Sequence, residues 1–172
     1  TVHTAEHLAS AIFYLGAERR EIPRARLFAP APPPGRPYAV IHPMASHPDK
    51  TWPAERFLSA AEHLEEALDL EPVFIAGPED DTVPFRRYRV VQGAHIEDLK
   101  TLLRGASLFL GNDSGPAHMA AAFGLPVAVI FGASDSAVWR PWKTDAEVLQ
   151  SPQGIGYITV AQVVAALDRL RV

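Results

Sequence analysis

The segment GNDSGPAHMAAAFG, residues 111–124, places small and polar residues between an apolar run and a helical pattern. Ser114 or Gly115 stands where a helix N-cap is expected, and Pro116 suits the first helical turn. The free N–H groups of a helix start carry partial positive charge and can bind an anion without a cationic side chain. Gly115 would let a phosphate approach the backbone closely. The segment therefore predicts an anion site, with a diphosphate as the candidate ligand.

Two side chains beside this helix start allow more than one role. Asp113 would repel a diphosphate, so we expect it to brace the turn through backbone N–H groups or to meet a sugar hydroxyl. His118 follows Ser114 by one helical turn on the same face, and it either contacts a ligand or is a satisfied structural imidazole. Capping and turn chemistry alone also explain Asp113, Ser114 and Pro116. The segment by itself leaves both interpretations open.

A second polar loop, HPMASHPDKTWP at residues 42–53, carries Lys50 close to the start of the next helical pattern. An ammonium at such a junction can pair with phosphate oxygens, although a single lysine is more often a solvated surface residue. The glycine and lysine spacing of a Walker loop is absent. Lys50 is thus a candidate phosphate ligand, but not as the lysine of a Walker loop.

Two more loops follow apolar runs. In FIAGPEDD, Glu79 or Asp80 could accept hydrogen bonds from ribose hydroxyls, or could simply favour the first turn of a helix. In FGASDSAVWRPW, the side chains of Trp139, Arg140 and Trp142 could cover a ligand, but a packed surface corner is the favoured interpretation because large aromatics usually serve packing.

The elements that must position these loops alternate between short apolar runs and amphipathic stretches. The runs are rich in Val, Ile and Phe, and they read YAVIHP, PVFIAG, RVVQG, SLFLGN and PVAVIFG. Strands interleaved with helices predict parallel βαβ units, hence an α/β fold with a Rossmann-like parallel sheet and helices on both faces. Ligands of such sheets bind beyond the carboxyl ends of the strands, so the polar loops should gather at one edge.

A proline-rich segment, APAPPPGRP at residues 29–37, separates these units from an earlier helical pattern. That pattern repeats Leu8, Ile12 and Leu15 at helical spacing and ends at Gly16. The composition of the proline-rich segment is typical of an extended linker. We therefore expect a boundary that separates residues 1–36 from a domain at 37–172. The chain begins with Thr1, so we expect it to be a fragment or a processed product.

Composition excludes several classes of function. The 172 residues carry a net charge of −4, which argues against a broad nucleic-acid or anionic-membrane surface. Without cysteine there is no disulfide framework and no thiolate metal site, and the seven histidines are scattered. No apolar run approaches the roughly 20 residues that span a bilayer. We expect a cytoplasmic protein with no nucleic-acid partner, no transmembrane segment and no metal.

Two motifs together resemble a known family. HPMASHPDKTWPAERF, followed further along by LFLGNDSGPAHMAAAFGLPVAVIFG, is similar to the carboxy-terminal half of glycosyltransferase family 9, the ADP-heptose:lipopolysaccharide heptosyltransferases. The resemblance runs from about Tyr38 to the end of the chain. It implies the carboxy-terminal half of a GT-B architecture, with residues 1–36 as the tail of the amino-terminal acceptor domain and the interdomain linker, and 37–172 as the nucleotide-sugar domain.

The resemblance also implies a set of donor-binding residues. Lys50 and the backbone of Ser114 and Gly115 would hold the donor diphosphate, and the loop around Ala94 and His95 would lie near the adenine. The full implied set is Ser46, Lys50, Glu79 (or, less favoured, Asp80), Asp113, Ser114, Gly115 and His118. The family's presumed catalytic base lies in the amino-terminal domain, so the resemblance implies no catalytic residue in this chain.

The expected function is the donor-binding half of a glycosyltransferase that moves a heptose-like sugar from an ADP-sugar to a lipopolysaccharide-type acceptor. No cofactor is expected beyond the ADP-sugar substrate. The expected partners are the donor, a lipopolysaccharide core or similar glycan, and the missing amino-terminal domain. The expected location is cytoplasmic or peripheral at the inner membrane. Two alternatives remain at this point: a free-standing nucleotide-diphosphate-binding module, and a GT-B-like sugar-nucleotide epimerase or hydrolase.

Overall fold

The computed structural model describes residues 1–170 and contains one sheet with helices against it. The strands are β1 (Tyr38–His42), β2 (Glu71–Ala76), β3 (Arg89–Gln92), β4 (Leu108–Asn112), β5 (Val127–Phe131) and β6 (Ala146–Gln150). The helices are α1 (Thr4–Tyr14), α2 (Ala54–Glu66), α3 (Ile96–Gly105), α4 (Gly115–Phe123), α5 (Ser136–Trp139) and α6 (Val160–Arg169).

The sheet has six strands in the order β3-β2-β1-β4-β5-β6, and every neighbouring pair is parallel. Val40 of β1 pairs with Val73 of β2 on one side and with Phe109 of β4 on the other. Strands run outward in both directions from β1 and β4, so the order reverses between them. This confirms the predicted Rossmann-like parallel sheet, and it places the topological switch point between β1 and β4.

Alternation along the central strands sends side chains to two separate cores. Ile41 and Leu110 pack on one face with Phe57 and Leu64 of α2 and with α6. On the opposite face, Val40 and its neighbours pack with α3 and α4. Helices therefore cover both faces, as predicted, and the central strands are buried on both sides.

Sequence inspection did not predict β6. Its residues, AEVLQ, are at most half-buried and include two acidic or amide side chains, so they lack the continuous apolar run of the central strands. The strand nevertheless pairs with β5 along its whole length, with Val129 opposite Val148. Backbone hydrogen bonds to the neighbouring strand hold an edge strand in the sheet. A hydropathy pattern does not reveal those bonds.

Helix α1 lies against the domain mainly through its first turn. The His3 ring accepts the Ala5 N–H as an N-cap, its Nε2 lies 2.8 Å from the Arg140 carbonyl oxygen, and the ring packs 4.5 Å from Trp142. The contact agrees with the packing interpretation for Trp142, whereas Trp139 and Arg140 are exposed.

The apolar side of α1 is open to solvent. Leu8, Ile12 and Leu15 are 65%, 56% and 80% exposed, so these side chains do not dock on the domain. The apolar face that their spacing predicts is therefore not buried against the sheet domain. The boundary at residue 36 stays a prediction.

Residues 17–37 form neither helix nor strand, but they are attached to the domain at several points. Glu21 forms an ion pair with Lys143, and Pro23 accepts a hydrogen bond from the indole of Trp142 at 3.2 Å. Further along, the Ala29 carbonyl accepts a 2.7 Å hydrogen bond from Arg104 of α3. These contacts hold the predicted linker along the surface of the domain.

Candidate functional site

The loops that follow β1, β2, β4 and β5 meet at the carboxyl edge of the sheet, as predicted from the parallel topology. His42, the last residue of β1, lies beside Gly111 of β4 in the sheet register. A side chain at Gly111 would meet the His42 carbonyl oxygen at 2.8 Å, so only glycine allows this close approach of the two strand ends. The loops that follow β1 and β4 therefore begin next to each other.

Asn112 joins those two loops. It is completely buried at the end of β4, its Oδ1 accepts the Trp52 N–H at 3.0 Å, and its Nδ2 donates to the Pro43 carbonyl at 2.8 Å. Both partners belong to the loop that carries Lys50. A buried amide with both ends satisfied is costly to remove, so Asn112 fixes the position of this loop relative to α4. The local sequence does not predict this role, because the two partners of Asn112 lie 60 and 69 residues away in the chain.

Trp52 anchors the same loop in the hydrophobic core. Its ring is fully buried, its Nε1 donates to the Ile158 carbonyl at 2.8 Å, and it meets Phe57 edge to face with the ring centres 4.9 Å apart. This side chain fills the core beside α2 and leaves the polar residues that precede it at the surface.

The loop after β5 also packs on the Lys50 loop. Gly132 lies so close to Asp49 that a side chain there would overlap the Asp49 carbonyl oxygen and would come within 2.9 Å of the Lys50 Cα. The Ala133 N–H donates to the same carbonyl at 3.3 Å. The Lys50 backbone is therefore held between the ends of β4 and β5.

Lys50 ends a short 3₁₀ helix, Pro48–Lys50, and its side chain is half-buried. Within residues 1–170, no carboxylate forms an ion pair with its ammonium group. An ammonium held near the sheet edge without an acidic partner is suited to bind an added anion. Ser46 lies in the same loop and is exposed.

Helix α4 begins after Ser114, as the sequence predicts, but the hydrogen bond by which a serine usually caps a helix is absent. Ser114 is the N-cap residue, and its side chain makes no hydrogen bond to the helix. Gly115 is exposed, and apart from its chain neighbours and the backbone of its own helix, no atom lies within 4 Å of the place where a Cβ would be. Capping alone therefore does not account for Ser114, and the helix start presents backbone N–H groups toward open space.

The Ser114 hydroxyl instead contacts His42, a residue for which the sequence alone predicts no role. His42 Nδ1 lies 3.0 Å from Ser114 Oγ. Burial lowers the pKa of His42 from 6.5 to about 4, and the opposing effect of the Asp80 carboxylate is smaller. The imidazole is therefore neutral near pH 7. The signal available in the sequence was its position as the last residue of a predicted strand, on the ligand-binding edge.

His118 and Asp113 lie beside the same helix start. The His118 ring makes no hydrogen bond with any residue that the structure describes, so it is not a satisfied structural imidazole. Burial lowers its pKa, Asp113 opposes that shift, and His3 adds to it. The Asp113 carboxylate accepts no hydrogen bond from the described part of the chain, so the predicted bracing of the turn is not seen.

The structure distinguishes the two acidic residues after β2 that are candidate ribose ligands. Asp80 Oδ2 accepts the Gly77 N–H at 2.6 Å, so this carboxylate closes its own turn. Glu79 is exposed. The geometry is consistent with the preference for Glu79 as a ribose ligand, which stays a prediction.

A cavity of about 380 Å³ lies between this loop and α4. Its lining is mostly apolar and includes His42, Gly77, Pro78, Ala94 and Pro116. An adenine-sized group would fit a slot of that volume and polarity. Ala94, which was expected near the adenine, does line this cavity.

A larger cavity of about 800 Å³ lies at the opposite, amino edge of the sheet, between the proline-rich segment and α3. By volume alone, this larger cavity would be the preferred ligand site. We favour the smaller cavity because parallel sheets bind ligands at their carboxyl edge, where the unpaired ammonium and the open helix start also lie.

The structure thus brings Lys50, Ser114, Gly115, Asp113 and His118 to the carboxyl edge of one sheet. Together they provide cationic and backbone N–H donors for an anion beside an apolar slot. No group of three or more His, Asp or Glu side chains suited to a metal ion occurs within residues 1–170. No helix in the same range is both long enough and apolar enough to cross a bilayer.

Similarity to known structures supports the fold. A family 9 glycosyltransferase from Veillonella parvula superposes with a TM-score of 0.83 at 20% identity, over 98% of this chain and 59% of that protein. The E. coli heptosyltransferase WaaC with ADP superposes with a TM-score of 0.72 at 20% identity, over 80% of this chain and 45% of that one.

Sequence similarity shows the family. Lipopolysaccharide heptosyltransferase 3 of Escherichia coli is 30% identical over 163 residues, which cover 79% of this chain and 47% of the relative. The chain therefore spans about half the length of that relative. The family model for glycosyltransferase family 9 (heptosyltransferase) matches residues 13–157, well over half of the chain. The chain belongs to glycosyltransferase family 9.

Proposed function

We propose that this chain is the donor-binding half of a glycosyltransferase that transfers a heptose-like sugar from an ADP-sugar to a lipopolysaccharide-type acceptor. The observation that carries the proposal is that the loop of Lys50 and the start of α4, where Ser114 makes no capping hydrogen bond, lie at the same edge of the sheet. Membership of family 9 favours sugar transfer over a binding module or an epimerase. One structure similar in fold is named as a complex with ADP.

In this proposal the donor diphosphate lies across the ends of β1 and β4. Lys50 and the N–H groups of α4 would stabilise the negative charge that grows on the ADP as the sugar leaves. This electrostatic assistance acts most strongly in the transition state and needs no covalent intermediate. The donor sugar carbon would be inverted by direct displacement.

The other predicted residues take places around that diphosphate. Ser46 approaches it from the Lys50 loop, and Glu79 accepts a hydrogen bond from the nucleoside. Asp113 and His118 lie toward the transferred sugar, since neither is used by the described fold. The adenine occupies the cavity beside Ala94. The donor is the only small molecule that the proposal requires, without a cofactor or metal.

The acceptor and its base are proposed to come from an amino-terminal domain. The chain spans about half of its curated relative, and that relative is named a lipopolysaccharide heptosyltransferase. We accordingly propose a lipopolysaccharide core or a similar glycan as the acceptor, and a cytoplasmic location or a peripheral one at the inner membrane.

Titration calorimetry with a set of nucleotides tests this proposal. ADP should bind more tightly than AMP, since its second phosphate adds negative charge and acceptor oxygens for Lys50 and the N–H groups of α4. UDP and GDP should bind less well than ADP if the cavity selects adenine. Equal affinity for ADP and AMP, or no binding of any nucleoside diphosphate, would refute the assignment of the diphosphate site.

A further inference from the structure

Ser114 occupies the N-cap position of α4 without acting as a cap. A serine at this position ordinarily accepts a hydrogen bond from the N–H of the second or third helical residue. The second residue here is Pro116, which has no N–H, and the third is Ala117. The Ser114 oxygen bonds to neither and lies 3.0 Å from His42 Nδ1.

This arrangement leaves the helix start open. Because the Ser114 oxygen is held by His42, it does not compete with an anion for the Ala117 N–H. The contact also spans the switch point of the sheet, since His42 ends β1 and Ser114 follows β4. The same imidazole lines the apolar cavity together with Gly77 and Pro116. His42 therefore lies where a nucleoside would meet its phosphates.

Which of these two groups donates the hydrogen bond determines whether the Ser114 hydroxyl hydrogen is free to bind a ligand. A serine hydroxyl has one hydrogen to donate, and a neutral imidazole has one N–H. If Nδ1 accepted the hydroxyl hydrogen, Ser114 would have nothing to donate to phosphate oxygens, which only accept. If Nδ1–H donates to Ser114 Oγ, the hydroxyl hydrogen stays available for the ligand.

We propose that His42 is a positioning residue for the diphosphate, present as the Nδ1–H tautomer, which donates to Ser114 Oγ and turns the Ser114 hydroxyl hydrogen toward the phosphate. The inference rests on the proposed donor site, because it assumes that an anion binds at the start of α4. Burial keeps the pKa of His42 near 4, so the neutral imidazole required here is present at physiological pH.

Two substitutions separate this role from a structural one. His42→Ala removes the donor, whereas His42→Asn places an amide N–H close to the position of Nδ1. We expect His42→Ala to weaken ADP binding by about tenfold and His42→Asn to stay within about threefold of the original chain, the range of one hydrogen bond. His63→Ala is the matched control, because His63 pairs with Asp168 away from the site.

A double-mutant cycle tests whether His42 acts through Ser114. In a Ser114→Ala background, His42→Ala should cause no further loss of ADP affinity beyond about twofold. Independent, multiplicative losses would overturn the proposal, as would equal losses for His42→Ala and His42→Asn. Circular dichroism of each variant shows whether it is folded.

Nitrogen-15 NMR of the imidazole in the ligand-free protein measures the tautomer directly and needs no variant. A hydrogen on Nδ1 supports the proposal, and a hydrogen on Nε2 alone overturns it. If the original chain binds no ADP, the proposed function fails, and the tautomer measurement still decides the hydrogen bond to Ser114. The two failures are therefore distinguishable.

Discussion

Asn112 Oδ1 accepts a 3.0 Å hydrogen bond from the backbone N–H of Trp52 and so ties the end of β4 to the loop that carries Lys50. The same amide donates to the Pro43 carbonyl at 2.8 Å, and its side chain is completely buried. One residue thus connects the two parts of the site that are proposed to bind an anion, the Lys50 loop and the start of α4.

Replacing Asn112 by Ala should destabilise the fold and weaken the donor site together. Two buried backbone groups would lose their partners, at a cost of about 2–4 kcal/mol in unfolding free energy. For a chain of this size that corresponds to a fall in Tm of roughly 5–15 °C. Urea unfolding and a thermal melt measure it, with the exposed Gln153→Ala as control. A loss below about 1 kcal/mol would show that the loops are held by other contacts.

Lys50→Ala should weaken ADP binding by about 1.5–3 kcal/mol, the scale of a hydrogen bond to a charged group. Calorimetry at low salt gives the affinity, and the loss should be smaller for AMP. Lys143→Ala removes the same charge from the segment before β6, where Lys143 pairs with Glu21, and should leave ADP affinity unchanged. Equal effects of the two substitutions would mean that only net charge matters.

ADP binding should not require a divalent metal. The described residues offer no cluster of carboxylates or histidines that could hold one, and Lys50 with the α4 N–H groups can neutralise the diphosphate instead. Titrations in EDTA and in Mg²⁺ should give the same affinity within about twofold. An affinity that collapses in EDTA and returns with Mg²⁺ would contradict this.

Stability should fall as the pH falls from about 6.5 to about 4. The folded-state pKa of His42, near 4, is below its ordinary value of 6.5, so the unfolded chain takes up this proton first. The contribution is complete above pH 6.5 and is lost toward pH 4, by at most about 3 kcal/mol. Burial lowers the pKa of His118 too, which acts in the same direction.

Urea unfolding at a series of pH values measures this dependence. The His42→Asn variant, which cannot titrate there, should show a flatter profile between pH 6.5 and pH 4 than the original chain. Identical slopes for the two proteins would show that other groups cause the acid sensitivity.

Residues 1–172 alone should show no sugar transfer. In-line attack requires the acceptor oxygen to be held about 3–3.5 Å from the sugar carbon, and the proposal assigns that task to a further domain. A transfer assay with ADP-heptose and a lipopolysaccharide core acceptor checks this, with a two-domain relative from the same family as the positive control. Turnover by the 172-residue chain would place the base within it.

The sheet could be predicted from the sequence because its central strands are buried on both faces. Runs such as AVI in β1 and VAVIF in β5 are apolar throughout, which identifies them without any knowledge of their neighbours. The half-buried β6 has no such signature, and its place depends on pairing with β5. Hydropathy therefore found the four inner strands and the edge strand β3, and it missed the other edge strand, β6.

The site was only partly predictable for a related reason. Lys50, Ser114 and Gly115 are recognisable by residue type and by their position next to a helix start. The roles of His42 and Asn112 depend on contacts with residues far away in the chain, such as Ser114 and Trp52, so no local pattern reveals them. The ligand-binding roles of the predicted residues stay predictions.

The contact between His3 and Trp142 has a thermodynamic consequence. It joins α1 to the loop that follows β5, whose first residues pack on the Lys50 loop. If donor binding at the proposed site depends on the position of the Lys50 loop, a molecule that bound the apolar side of α1 and pulled His3 away from Trp142 would shift the donor affinity. Because such linkage is reciprocal, the donor would change the affinity of that molecule by the same factor.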